Sequence, residues 1–350
     1  MKENPNPLSF QARINPDDFL PASNEEKQSL VILRESVSFW KDGVRRFCKN
    51  KIAMVSLVIV VIIMLFSFVV PAFYPYSYEQ QIRGSEHLAP MEYSEEEQTR
   101  IDNGEHVFPH ILGTDKHGRD YAIRVMMGSR VSLIVGLVAA AIILIVGSIF
   151  GSIAAFFGGW VDIIMMRIVD IIYTIPDILL IVLLSFALKA PLEQLSQMPG
   201  FGWIQVLGRN LISIFIVFAL LYWGGMARMV RSQILTLKES EYVTAARALG
   251  ASNARIIKKH LLTNCIGTLI VTTTLQIPSS IFTESFLSFL GIGVAVPMPS
   301  LGSLASDAIN GFNTFPYLLF IPAILISLII LSFNLLGDGL RDAFDPKMKN

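Results

Sequence analysis

Apolar residues in this chain come in long blocks, not at helical or strand spacing. Six blocks are each long enough to cross a bilayer, which takes roughly 20 residues of helix. They are Ile52–Val70, Val131–Phe157, Ile163–Leu188, Leu211–Met229, Cys265–Leu290 and Phe315–Leu336. A helix in lipid is apolar nearly all round, so length and flanking charge carry the assignment more than periodicity does. The short alternating segments of a β-barrel do not appear. The pattern predicts an all-α membrane protein of about six transmembrane helices.

The polar stretches divide the chain. Residues 1–38, with Pro5, Pro7, Pro16 and Pro21, read as a loose cytoplasmic tail. Residues 39–72 form an N-terminal module with the first span, and 73–129 an extracytoplasmic loop. Residues 130–337 form the main bundle, interrupted by a loop at 232–263, and 338–350 are a cytoplasmic C-terminus. The first block lies too far from Met1 for a simple signal peptide. Pro71 and Pro75 follow it instead of a small-residue cleavage site, so it is a retained span.

Charge sets the orientation. Lys41, Arg45, Arg46, Lys49 and Lys51 precede the first block, and Arg341, Lys347 and Lys349 follow the last. The positive-inside rule puts both ends in the cytoplasm. The loop after the fourth block then also falls inside, and it carries Arg228, Arg231, Lys238, Arg247, Arg255, Lys258 and Lys259. The loop after the first block falls outside and is acidic, with Glu92, Glu95, Glu96, Glu97, Asp102 and Glu105 among its residues. Composition agrees: 53% of residues are hydrophobic and 16% charged, against about 25% charged in a soluble domain. The zero net charge argues against a strongly basic nucleic-acid binder. Cys48 and Cys265 have no ligand spacing and read as free thiols.

The basic inner loop has internal structure. Tyr242, Ala245, Ala246 and Leu249 fall on one face at helical spacing. Gly250 suits a left-handed position after that helix, and Ser252 an N-cap for a second helix, Asn253–Leu262. Such a unit fits a groove on a partner protein. It fits equally an anionic lipid surface, and the residues alone leave the two open.

The segment resembles the EAA loop of ABC importer permeases: Ala245, Ala246 and Gly250 fall in register, and Leu262 matches a later leucine. Thr244, His260 and Thr263 stand where that pattern has Glu, Ile and Pro. The resemblance covers most of the chain. Leu112-Gly113-Thr114-Asp115 with Gly118-Arg119-Asp120, Gly128 to Leu133, Gly158 to Asp162, and Phe286 to Gly291 are similar to segments of oligopeptide and dipeptide permeases. Phe39 to Lys51 with the first span resembles the extra N-terminal module of the C-type subunit. The outer loop from Ser77 to His110 matches least.

This resemblance implies a type I ABC importer permease in a bacterial plasma or inner membrane, carrying oligopeptides or dipeptides, or nickel or another small solute. It implies a second homologous permease, two ATPase subunits and an extracytoplasmic binding protein as partners. ATP and magnesium would sit on the ATPases. Glu241, Thr244, Ala245, Ala246, Gly250, Ser252 and Leu262 would form the coupling loop that docks on an ATPase.

Other residues carry chemistry of their own. Asp177, after Pro176, and Glu284, after Pro278, are intramembrane acids and so candidates for the translocation path. Arg167 and Asp170 are three apart on a helix and predict a structural pair. Gly147 and Gly151 predict close helix packing more than a dimer seam. His87, His106, His110 and His117 lack metal-site spacing. No phosphate-cradling loop, nucleophile elbow or zinc-protease motif occurs, so neither an ATPase nor a hydrolase is expected in this chain, and no cofactor. A secondary transporter is the weaker alternative, with Asp177 its only support.

Overall fold

The computed structural model describes residues 38–294 and 298–344. The chain divides into two compact units, Met1–Asp42 and Gly43–Asn350. The first is described only from Ser38, where the chain enters helix α1 (Phe39–Lys49). The rest of the predicted N-terminal tail, and Lys347 and Lys349, lie outside the described residues.

The second unit begins its first crossing at Asn50. The Asn50 side chain accepts from the N–H groups of Ile52 and Ala53 and so caps α2 (Lys51–Phe68). A 3₁₀ turn, Val70–Ala72, ends it. The outer loop contains one short helix, α3 (Glu95–Asp102). Among the described residues, six helical stretches are long and apolar enough to cross a membrane, as the blocks predict.

The second crossing, α4 (Tyr121–Phe157), starts ten residues earlier than the apolar block, so the outer loop ends at Asp120 and not at Ser129. The reason is that the arginines of its first turns find partners within the protein. Arg130 donates to the carbonyls of Ser67 and Phe68 at the end of α2. Arg124 is buried beside Asp115.

The third crossing is not the single helix expected at Ile163–Leu188. It is two helices, α5 (Gly159–Thr174) and α6 (Asp177–Ser196). Ile175 between them is extended (φ −94°, ψ 136°), as the ring of Pro176 forces on the residue before it. The short α7 (Trp203–Leu207) follows. The fourth crossing is also interrupted, as α8 (Arg209–Leu221) and α9 (Trp223–Leu237) with Tyr222 at the joint. The fifth crossing is α13 (Ile266–Phe289). The outer helix α14 (Leu301–Ala308) and the last crossing, α15 (Tyr317–Phe344), complete the bundle.

Helix α4 is the central post. Its Val135, Ala139 and Ile143 join Met226, Val230 and Ile234 of α9 in one buried cluster. Gly147 and Gly151 let the two backbones touch. A Cβ at Gly147 would stand 2.6 Å from Met226 Cβ, and one at Gly151 2.3 Å from the Ala227 carbonyl oxygen. The small-residue pair is therefore used inside this subunit. On the other side, Ala53 and Val60 of α2 pack with Phe333 and Leu336 of α15, so the added N-terminal span leans on the last one.

Candidate functional site

The cytoplasmic loop is built from its anchors upward. Arg231 of α9 grips Asp162 at the start of α5 with two bonds of 2.5 Å, a bidentate pair of the strong kind. Arg228 donates to Asp170 at 2.8 Å and lies over the Tyr173 ring. Asp170 is thus closer to Arg228 than to its predicted partner Arg167, which stands 3.9 Å away. The cross-helix pair prevails because α9 brings its guanidinium directly over α5. Lys238 donates to the Ala155 carbonyl, and Arg247 sits over Phe156. These bonds fix the loop to the inner ends of α4 and α5.

The first loop helix is α10 (Glu241–Ala248), with Glu241 in its first turn. Its faces differ from the expected stripe. Val243 and Ala246 are buried, and Val243 joins Ile256, Leu261 and Cys265 in the core. Thr244 and Ala245 face outward. Tyr242 is exposed, and Leu249, at 88%, is almost wholly so. Helical spacing alone gave the stripe without its direction: Ala246 belongs to the inward face, and Val243 was missed.

Gly250 takes the predicted left-handed position, at φ +78°. The N–H of Ala251 bonds the Ala246 carbonyl and that of Gly250 the Arg247 carbonyl, each at 3.0 Å. This is the Schellman arrangement, which needs a left-handed residue at its centre. Ser252 then caps the next segment, accepting from the Arg255 N–H at 3.4 Å.

That segment runs to residue 264 rather than stopping at Leu262. It opens as α11 (Asn253–Arg255), widens to a π-helical turn at Ile256–Leu261 and closes as α12 (Leu262–Asn264). Widening frees carbonyls, and side chains take them. Thr263 Oγ1 donates to the Lys258 carbonyl at 3.2 Å, and Asn264 Nδ2 to the His260 carbonyl at 2.6 Å. The same Asn264 amide reaches Tyr242 Oη at 3.2 Å. Leu262 is half-buried against the core. The Thr at 263 thus closes the segment by bonding where a proline would close it by sterics. Inserted π turns recur at functional sites.

The two intramembrane acids part company. Asp177 is exposed and lines a cavity of about 390 Å³ at the breaks of the third and fourth crossings, with Tyr173, Leu221 and Tyr222. Glu284 is fully buried, and its carboxyl group accepts from Ser132 and Ser288 at 2.7 Å and from Ser285 at 3.3 Å. Ser132 also accepts from the Leu301 N–H. Glu284 therefore ties α4, α13 and α14 together inside the subunit.

The outer loop holds a cluster that the spacing of its histidines did not reveal. His110 is fully buried between two helix-capping carboxylates. Its Nε2 lies 3.1 Å from Glu97, which closes the capping box of α3. Its Nδ1 lies 2.8 Å from Asp120, which caps α4. Burial alone would depress the His110 pKa, but the hydrogen bonds and charges of Asp120 and Glu97 outweigh it and raise the value. Tyr76 stacks on the His110 ring, and burial and the nearby carboxylates push its pKa up to about 12.

Six candidate crossings, the third of them broken, and a helix–turn–helix loop on rigid anchors define a multi-span membrane protein. Residues 147–350 match the family of binding-protein-dependent transport system inner membrane components, and residues 38–90 match the N-terminal transmembrane domain of oligopeptide transport permease C. The chain belongs to this family, and within it to the C-type oligopeptide and dipeptide permeases. It is 39% identical to the oligopeptide transport system permease protein OppC of Bacillus subtilis, over 95% of this chain and 97% of that one. It is 37% identical to the dipeptide transport system permease protein DppC of the same organism, over 95% and 94%. Against OppC of Escherichia coli K12 it is 36% identical, over 89% and 93%. The chain is a permease subunit and not an ATPase.

Proposed function

We propose that this subunit imports oligopeptides or dipeptides as half of a translocation path, driven by ATPases that grip its loop at 232–263. A second homologous permease completes the path, two ATPase subunits dock beneath, and an extracytoplasmic binding protein delivers peptide. One observation carries the coupling role: Leu249 is 88% exposed at the C-cap of a cytoplasmic helix whose other face is locked into the bundle. With Tyr242 and Ala245, exposed at i and i+3 before it, Leu249 makes an apolar strip on a rigid mount, which suits a groove on a partner.

The mechanism follows from the anchors. Closure of the ATPases pulls on Tyr242, Ala245 and Leu249. Glu241 and Thr244 stand at the helix start, and Gly250 and Ser252 hold the angle between the two helical segments. Ala246 and Leu262 carry the pull inward to the core. The Arg231–Asp162 and Arg228–Asp170 pairs pass it to α5. The third and fourth crossings are both interrupted near Asp177, so they rock there and expose the path alternately, as discontinuous helices do in other transporters. Asp177 lines the path, where its carboxylate suits the amino terminus of a peptide. Glu284 acts as a fixed strut beside the outer gate.

The test uses the complete importer. Leu249→Glu is expected to abolish co-purification of the ATPases while leaving the permease folded. Gly250→Pro, which forbids positive φ, is expected to keep assembly partly but stop transport. Normal transport by either variant overturns the coupling role.

A further inference from the structure

The outer surface carries a second feature that the transport reading leaves unused. A cavity of about 190 Å³ lies where the outer loop meets the first turn of α4 and the end of α14. His87, Asp115, Lys116, Tyr121, Arg124 and Asp307 are among its walls. Its walls carry Lys116 and Arg124 against Asp115 and Asp307, and a third cation, Arg119, engages Asp115 beside the cavity.

Arg124 is only 3% exposed. Its Nε is 3.3 Å from Asp115 and its Nη2 3.9 Å from Asp307, within ion-pair reach of both. Yet Nε and Nη1 are buried without a hydrogen-bond partner. Both acids are already engaged. Asp115 accepts from Arg119 Nε at 2.7 Å and from the backbone N–H groups of His117 and Arg119. Asp307 is held by Lys116 at 3.1 Å. Three cationic side chains, Lys116, Arg119 and Arg124, therefore share two carboxylates.

His87 adds a second unpaired group on the same wall. Its Nδ1 is buried without a partner. Its ring lies flat on Phe315, with centroids 4.4 Å apart. Its backbone is at φ +56°, a conformation that side-chain-bearing residues rarely adopt and that persists only when the surroundings enforce it. Leu304 and Leu318 complete the wall. Buried guanidinium N–H groups and a buried imidazole nitrogen are costly to leave without hydrogen bonds, and both residues line one partly apolar cavity.

We infer that this cavity is a carboxylate-binding site on the extracytoplasmic face, with the Arg124 fork as its main donor and His87 Nδ1–H as a second. A planar carboxylate matches the parallel N–H groups of a guanidinium. The leucine walls favour an organic acid over a hydrated inorganic anion. The terminal carboxylate of a peptide is the ligand this subunit meets; that identification rests on the transport reading above, whereas the site itself does not. Arg124 would hold the carboxylate end of a peptide between its release by the binding protein and its entry to the path.

The experiment is saturation-transfer NMR on the complete importer in lipid nanodiscs, without binding protein or ATP. The probes are N-acetyl-alanyl-alanine and its C-terminal amide. The acid is expected to bind roughly fivefold or more tightly than the amide, and Arg124→Gln to erase that preference. Asp307→Asn at the exposed rim removes a competing carboxylate, so it is expected to tighten the acid by about threefold. That variant keeps the test decisive if Arg124→Gln fails to fold. Equal binding of acid and amide overturns the site. So does an Asp307→Asn variant that leaves acid binding unchanged or weaker, or displacement of the acid by inorganic phosphate at lower concentration than by the acid itself. None of these readouts depends on ATP or transport, so failure here is distinct from failure of the coupling role.

Discussion

The side-chain amide of Asn264 donates to the Tyr242 hydroxyl at 3.2 Å, so the last turn of the returning segment is tied to the first turn of α10. One hydrogen bond of this kind contributes about 1 kcal/mol net. It joins the two arms of the loop across Gly250, where they are otherwise connected only through the chain and the core. Asn264→Ala is expected to lower the peptide transported per ATP hydrolysed by roughly threefold to fivefold, with assembly intact. Tyr242→Phe should act in the same direction and less, because the Asn264 bond to His260 survives it. Coupled transport and ATPase assays in proteoliposomes check this; an unaltered ratio in both variants removes the tie from the account.

The contact between α4 and α9 predicts a stability effect. A side chain at Gly151 meets the Ala227 backbone, which is unable to yield as a flexible side chain does. Gly151→Val is expected to destabilise by about 1–3 kcal/mol through overpacking. Gly202→Ala is the control, since nothing lies within 4 Å of its Cβ position. Thermal unfolding in matched detergent distinguishes them, and equal midpoints contradict the packing.

Glu284 separates a strut from a path wall. Glu284→Gln keeps an acceptor for one of Ser132 and Ser288, which bond different carboxyl oxygens, and its amide N–H can donate to the other hydroxyl, so folding and transport should be close to normal. Glu284→Val strands those hydroxyls in the interior, at about 1–3 kcal/mol for a group left unsatisfied. The expected result is a lower unfolding midpoint with little change in substrate preference. A shift in preference without loss of stability points instead to contact with substrate.

His110 makes the outer loop pH-sensitive. Its pKa is raised in the folded protein, so its stabilising contribution is complete below roughly pH 6.5, the unfolded value. The contribution is lost as pH rises through the higher folded-state value. Both capping carboxylates then face a neutral ring that has one proton fewer to share. Amide hydrogen exchange over residues 94–125 should quicken as pH rises through this range, beyond the intrinsic chemical rate. His110→Gln should show fast exchange at every pH. A wild-type loop whose corrected exchange is flat with pH contradicts the bridge.

The crossings were legible in the sequence because lipid demands long apolar runs, but the breaks at Pro176 and Tyr222 lie inside such runs and were not. The start of α4 was obscured by Arg124 and Arg130, which look solvent-bound until the carbonyls of α2 and the Asp115 cluster are seen around them. In the loop, Gly250 and Ser252 were readable because left-handed turns and N-caps are local chemistry. The inward face of α10 was not, because Val243 is buried by Ile256 and Leu261 from another segment. The π turn frees carbonyls that Thr263 and Asn264 take, and residue spacing does not report it. The His110 bridge and the Arg124 cavity depend on residues far apart in the chain, so no local pattern announces them.

The central claim is that the exposed face of α10 meets protein and not lipid. A photo-crosslinking residue placed at Leu249 tests it most directly, in native membranes containing the complete importer. The account predicts an adduct with an ATPase subunit that forms in high yield, and that does not form when the residue is placed at buried Val243. Crosslinking from position 249 to lipid alone, with the ATPases present and bound, would contradict it.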